Sequence, residues 1–368
     1  MNDLSYFAKL SFAILISVAL WGCVPERSQR PIVSIEGNVF YIDGEPTYQG
    51  RYWNGYKIEG LLMNARLVQG VFDDSNPETR SLFHYPDTDE WNPDRNTDEF
   101  VAAMPSWRAH GLLSFTLNMQ GGSPTGYGNK NWHNSAFERN GDLKPAYMDR
   151  LTRILDKAEE LKMVVMLGYF YFGQDQNLED EAAIIAAVDH LTDWLLEKGY
   201  RNVLVEINNE SNIKAYDHEV LKPARVHELI NRVKAKEKNG YRLLVSTSFG
   251  GRYIPDANVV DVSDYVLLHG NGVKDPDYIK EMVTLTKAIP TYRGQPIVFN
   301  EDDHYDYDKE ANNFKYAVES YASWGYFDFR RKAETDIEIG FQSVPVDWSI
   351  NHERKKAFFD YLKEITGE

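Results

Sequence analysis

The sequence predicts an α/β chain that closes into a single (β/α)8 TIM barrel behind a short N-terminal β-hairpin, and three observations carry that prediction. Eight apolar runs of strand length alternate along the chain with longer amphipathic segments. No Gly-rich phosphate fingerprint follows the first run, as an open doubly wound sheet would place at its first turn. No Ser/Gly/Pro-rich linker, internal repeat or low-complexity stretch divides residues 31–368, so they read as one domain.

The chain begins with a segment to be set aside before the fold is read. Leu10 to Leu20 is apolar, follows Lys9, and is too short to span a bilayer. With Leu20-Trp21-Gly22-Cys23 it resembles a bacterial lipoprotein signal. The resemblance implies a signal peptide over 1–22, lipidation of Cys23, a polar tether over 23–30, and a place in the bacterial cell envelope. Val24 after the cysteine fits sorting to an outer membrane. Cys23 is the one cysteine in the chain, so no intrachain disulfide forms and no other thiolate exists for zinc or for nucleophilic catalysis. The formal charge of −16 argues against nucleic acid and against broad polyanion-binding surfaces, while leaving room for local basic pockets. Oligomeric state is silent in the sequence.

The elements follow in order. Pro31 to Pro46 alternates apolar and polar residues around Glu36-Gly37-Asn38 and Asp43-Gly44, the pattern of a hairpin. The predicted strands run over Leu61–Val68, Leu112–Asn118, Val164–Phe170, Val203–Ile207, Leu243–Ser248, Tyr265–Leu268, Ile297–Phe299 and Tyr321–Phe327. Between and after them, three- and four-residue apolar spacing predicts helices over Asp98–His110, Tyr147–Lys162, Asp180–Lys198, Pro223–Asn239, Asp277–Ile289, Lys309–Ser320 and His352–Ile365.

Two of the strands end alike. Val203 to Ser211 reads VLVEINNES and Pro296 to His304 reads PIVFNEDDH, so each β-branched run stops in Asn-Glu. In a parallel barrel the C-terminal strand ends converge on one mouth, where active sites lie. Glu210 and Glu301 are therefore candidates for a facing carboxylate pair, the requirement of glycoside hydrolysis. A strand-terminating surface Glu is the plainer reading of either residue alone; two Asn-Glu endings three βα units apart make coincidence a poorer account. Period-two alternation puts Leu204, Glu206, Asn208 and Glu210 on one face. Glu206 lies too deep for the mouth and reads as a structural carboxylate, with Arg66 of the first strand as its buried partner.

Asn209-Glu210 closing the fourth strand and Glu301 closing the seventh resemble the signature of clan A glycoside hydrolases, the retaining (β/α)8 enzymes that include cellulase family 5. That resemblance implies that Glu210 is the general acid/base, Glu301 the nucleophile, and Asn209 the ligand of the sugar 2-hydroxyl. His269, in LLHGNG, falls where family 5 carries His-x-Tyr; Asn271 stands in place of the Tyr, so the likeness is to the clan. It further implies a retaining cut, in most of the group at a β-linkage; the residues themselves lead us to expect no cofactor and no metal.

Around the pair, strand ends offer sugar-binding chemistry: Asn118 and Gln120 after the second strand, Tyr169 and Tyr171 after the third, Trp324 near the eighth, and Arg66 and His304. With 23 Tyr, 18 Phe and 8 Trp the ordinary fate of an aromatic here is the core; Trp324 and Tyr169 are ranked ahead of Tyr171 as platforms. Gln120–Asn134 reads as a loop on the mouth side. Two other functions compete. His269, Glu301, Asp302, Asp303 and His304 form a donor-rich set that suits a metal-dependent hydrolase or sugar isomerase, although no His-x-His marks the first strand. A non-catalytic, lipid-anchored glycan-binding barrel is the other, and it gives no reason to keep both Glu residues.

Overall fold

The computed structural model describes residues 30–126 and 131–368. The predicted signal peptide and the lipidation site Cys23 lie outside the described residues, as does the tether apart from Arg30.

Eight parallel strands ring the centre: β1 Asn64–Arg66, β2 Ser114–Asn118, β3 Val164–Tyr171, β4 Val203–Asn209, β5 Leu244–Ser246, β6 Val266–His269, β7 Ile297–Glu301 and β8 Gly325–Tyr326. Six make one sheet in the order β5-β4-β3-β2-β1-β8, and β6 pairs with β7. Two seams complete the ring. A bridge from Val298 to Ser323 joins β7 to the approach of β8. Asp264, just ahead of β6, donates its N–H to Val245 O at 3.0 Å and accepts the Val245 N–H on its carboxylate at 2.9 Å.

A helix follows each strand: α1 Pro93–Arg108, α2 Pro145–Glu160, α3 Glu181–Lys198, α4 Val226–Lys234, α5 Ala257–Val262, α6 Asp277–Lys287, α7 Asn313–Glu319 and α8 Glu353–Thr366. Local chemistry sets their ends. Asn92 accepts the N–H groups of Asp94 and Arg95, with Pro93 in the first helical position, so α1 starts ahead of the predicted Asp98. α3 runs from the Asp180 cap to Gly199, which closes the helix in the left-handed region at φ 78°. α5 has only 6 residues, too few for a periodic pattern to show, and the sequence reading missed it.

The predicted hairpin is present as Val33–Glu36 against Val39–Ile42, and Glu45–Pro46 adds a third antiparallel strand. It covers the N-terminal end of the barrel: the Val33 N–H donates to Arg201 O, and buried Phe40 meets the Tyr265 ring edge-on at 6.4 Å. No helix among the described residues is long and apolar enough to cross a membrane.

Stability and chemistry occupy different layers. Between helices and strands the packing is apolar, as with Leu151, Ile154, Leu155 and Ala158 of α2, each fully buried; a buried Leu or Ile contributes about 1.5–3 kcal/mol. The barrel interior is mixed: Thr116 aligns with Met166, Met166 with Leu204 and Leu204 with Leu244, and the layer nearer the mouth is polar. Register aligns Arg66 with Thr116, Asn118 with Gly168, Gly168 with Glu206, and Glu206 with Ser246, so neighbouring strands turn these residues to the same side.

Candidate active site

Glu210 and Glu301 arrive at the mouth by different backbone devices. β4 ends at Asn209, and Glu210 takes a left-handed conformation, φ 54°, which is strained for a non-glycine residue. The turn is pinned from β5's continuation: the Glu210 N–H donates to Ser248 Oγ at 2.9 Å and the Ser211 N–H to Ser248 O at 2.9 Å. On β7 the pairing steps from Leu268–Phe299 to His269–Glu301, so Asn300 is an extra residue and β7 carries a bulge. The bulge lets adjacent side chains both enter the interior. Asn300 donates to Glu206 at 3.3 Å, and Glu301 reaches Arg66.

One oxygen from each carboxylate and one ring nitrogen of His269 lie within 4.8 Å of one another. His269 Nδ1 is 2.9 Å from Glu210 Oε1 and 3.6 Å from Glu301 Oε2. Arg66 Nε stands 2.8 Å from Glu301 Oε2, and Asn271 Nδ2 donates to Glu301 Oε1 at 2.5 Å. The group is buried, with Glu210 9% and Glu301 4% exposed.

Burial and charge then set the protonation states. Burial works against the imidazolium of His269, but the Glu301 charge and the bond to Glu210 outweigh it and raise the histidine above its ordinary value. Burial pushes the Glu210 carboxyl up, yet donation from His269 and the charges of His269 and Arg66 leave it below the usual range. For Glu301 burial prevails over Arg66 and His269, with the Glu210 charge adding to it, and the carboxyl is raised. His269 thus stands between the two carboxylates, with its charged form favoured by both.

Several sequence expectations need correction. Arg66 is not the partner of Glu206 and is not open to sugar hydroxyls: it is 1% exposed and paired with Glu301. Glu206, fully buried, is raised chiefly by desolvation, as expected of a carboxylate without its own cation. Tyr169 points outward from the barrel and shares a 3.2 Å hydrogen bond with Thr192 of α3. Trp324 is fully buried, stacked on Phe314 at 4.6 Å and donating to Asp302 Oδ2 at 2.9 Å. Neither aromatic reaches the mouth, because each sits on the helix-facing side of its strand. Asn118 lies inside the barrel, its amide without a hydrogen-bond partner and its register shared with Gly168 below the carboxylates. His304 turns to Asp302 at 2.7 Å and Asp303 at 3.3 Å rather than to the Glu pair.

Asn209 stays at the site, 1% exposed; Tyr216 OH donates to its backbone oxygen at 2.6 Å and its side-chain Oδ1 has no protein donor. Two aromatics that were ranked low or passed over are closer to the chemistry. Tyr171, bonded through its hydroxyl to Ser123 Oγ at 2.7 Å, is near enough to Arg66, Glu301 and Glu210 for their charges to act on it. The Phe327 ring lies 5.8 Å from the Arg66 guanidinium. Asn271, read from sequence as a departure, binds Glu301 directly.

The two donor-rich clusters differ in what they can hold. Asp302 already accepts from the His304 N–H at 3.2 Å, from Asn313 Nδ2 at 3.2 and 3.0 Å, and from Trp324, so its oxygens fasten the start of α7 to the barrel. Glu301 has a guanidinium against it, which opposes a cation at the Glu210–His269–Glu301 group. The Asp302 oxygens are thus already taken up by protein donors, and the Glu301 oxygens by Arg66 and Asn271.

No family model matches the chain, and no curated protein matches it. Solved structures do resemble it. A candidate glycoside hydrolase from Bacteroides vulgatus ATCC 8482 aligns with a TM-score of 0.57 at 14% identity, covering 92% of this chain and 61% of that one. A glycoside hydrolase family 5 protein from the same organism aligns at 0.55 and 15% identity, covering 91% and 70%. The family 5 mannosidase of Rhizomucor miehei aligns at 0.53 and 12% identity, covering 91% and 97%. The chain has the (β/α)8 fold of these family 5 structures.

Proposed function

We propose that this protein is a retaining glycoside hydrolase that cuts a β-linkage in an oligo- or polysaccharide by double displacement. The observation that carries the reading is that Glu210 and Glu301 face each other across one His269 nitrogen, at 2.9 and 3.6 Å, with their nearest oxygens within 4.8 Å. Retaining enzymes hold their carboxyl groups about 5–5.5 Å apart, whereas inverting enzymes need roughly 6.5–9.5 Å to admit a water. The glycoside hydrolase names of the structural neighbours support the same class.

The partners of each carboxylate assign its role. Arg66 cannot release its proton, so its charge favours the Glu301 anion against the burial that raises this carboxyl, with Asn271 fixing the other oxygen. That suits a nucleophile. Glu210's charged partner is His269, which can give up its proton across 2.9 Å. Glu210 can therefore be acid in one step and base in the next. Glu301 attacks the anomeric carbon while Glu210 protonates the departing oxygen; the resulting ester removes the Glu301 charge. Glu210 then takes a proton from water, which displaces Glu301 and restores both groups. The unpartnered Asn209 Oδ1 is placed to accept from a sugar hydroxyl beside the broken bond. Lipidation at Cys23 would hold the domain at the cell envelope, and its loss in Cys23→Ser under palmitate labelling tests that separately.

A screen against β-glucans and β-mannans with and without chelator, read by new reducing ends and by the anomer first formed, tests the reading. Glu210→Gln and Glu301→Gln should each lower turnover by about 10³-fold or more while keeping the fold. Azide should return a retained glycosyl azide with a Glu210→Ala variant and an inverted one with Glu301→Ala. An inverted product from the parent protein, or activity lost to chelator, would overturn the mechanism.

A further inference from the structure

The acidic surface of this protein is interrupted on the segment that follows Phe327. A cavity of about 570 Å³ is lined in part by Thr125, Phe329, Arg330, Arg331, Lys332 and Glu334. Three consecutive cations are unusual in a chain of net charge −16, and here no carboxylate forms an ion pair with any of them among the described residues. Arg330 is spent on neutral partners, donating to Pro345 O and Val344 O at 2.8 Å each. Burial pushes its guanidinium down to about 10. The acidic side chain in the lining, Glu334, takes its ion pair from Arg354 at 3.2 and 3.3 Å; Arg331 gives it a backbone N–H at 2.7 Å and, by charge alone, a weaker lowering than Arg354 does. Arg331 and Lys332 are exposed and carry their charge into the pocket.

Two walls tie this pocket to the carboxylate pair. On one, Phe327 beside Arg66 stacks on Phe329 with 5.4 Å between ring centroids, and Arg330 to Lys332 follow directly. On the other, Tyr171 binds Ser123, and the loop continues through Pro124, which accepts the Val344 N–H at 2.7 Å, to Thr125. Gly126, at φ 72°, brings this loop against the first wall: a Cβ there would lie 3.1 Å from Arg330 O and 3.2 Å from the Phe329 ring. Arg331 lies over the Tyr305 and Phe329 rings at 5.5 and 6.0 Å, and an aromatic face next to cations that lack a carboxylate ion pair suits a sugar ring bearing a negative group. At this size the pocket falls in the range of small-ligand sites.

We propose that this pocket is a subsite for an anionic glycosyl unit, one carrying a uronate carboxylate or a sulfate ester, so that the substrate is an acidic glycan. The proposal rests on the glycoside hydrolase reading and names its substrate class. Charge-assisted bonds from Arg331 and Lys332 supply the selectivity, and the local field overrides the repulsion of the acidic surface at short range.

The test uses the full chain and two probe pairs: β-linked glucuronic acid oligosaccharides with their carboxyl-reduced counterparts, and sulfated galactan oligosaccharides with their desulfated counterparts. Binding is read by calorimetry and cleavage by reducing ends. The expected result is about tenfold tighter binding of the charged member in at least one pair. That preference should vanish in Arg331→Gln/Lys332→Gln, persist in Arg331→Lys, and weaken with added salt. The pair that shows it identifies the anion. Matching thermal melts establish that the variants fold. Equal binding within both pairs, a preference that survives in the double variant, or no binding of any probe overturns the proposal. Charge-dependent binding with no cleavage of any glycan leaves the subsite standing and removes the hydrolase reading.

Discussion

The two halves of the barrel deliver the same dipeptide to the same mouth in different ways. β3 and β4 are 8 and 7 residues long and pair in nearly continuous register, whereas β5 has 3 residues and β8 only 2. In the long half Asn209-Glu210 leaves a regular strand through one left-handed residue, so the strand stays intact and the strain is confined to Glu210. In the short half Asn300-Glu301 is still inside its strand, and a bulge spreads the irregularity over the ladder. The partners divide in the same way. Glu210 leans on a histidine whose proton can move, and Glu301 on an arginine whose proton cannot. A rigid frame with a switchable partner thus faces a re-aimed strand with a fixed one.

Removing the fixed partner should do the most damage. Arg66→Met leaves Glu301 buried without its cation, so we expect turnover to fall by about 100-fold or more and stability by about 3–5 kcal/mol. The charge of Arg66 lowers Glu301. Its loss therefore raises that carboxyl, and the acid limb of the kcat/KM profile should move to higher pH. Parent-like turnover and melting in this variant would show that the ion pair is incidental.

The switchable partner should tune rather than abolish. His269 lowers both Glu210 and Glu301, so in His269→Gln both carboxyls rise and both limbs of the pH profile should shift upward, with turnover reduced by roughly 10–100-fold. A profile that moves down or stays fixed would contradict the proton assignment.

The smallest effects should separate the halves structurally. A methyl at Gly168 would meet Asn118 Oδ1 at 2.3 Å, the end of a side chain with no hydrogen-bond partner. At Gly325 it would meet Asn64 Oδ1 at 2.1 Å and the Phe299 backbone oxygen at 2.9 Å, and Asn64 is tied to that same oxygen at 3.2 Å. Gly325→Ala should cost about 2–3 kcal/mol in denaturant unfolding and Gly168→Ala about 1 kcal/mol or less. Equal losses would mean that the short half is no less yielding than the long one.

How much of this was readable in the sequence depends on the range of the physics involved. Strand and helix alternation, the Asp180 cap and the two Asn-Glu endings are written in residues close together in the chain, where periodicity and turn chemistry act. They were enough to indicate the barrel and to bring Glu210 and Glu301 to one mouth. What the sequence could not decide was direction across the sheet and choice of distant partner. Tyr169 and Tyr171 look equivalent in the chain, yet one meets α3 and the other the site. Trp324 and Phe327 divide in the same sense. Arg66 could have met Glu206 or Glu301, and the bulge at Asn300 settled it by turning Glu301 inward. Asn271 looked like a lost residue until the fold brought its amide to the carboxylate. Those outcomes depend on ring closure, register and one extra residue in a strand, which exist only once segments far apart in the chain have packed together.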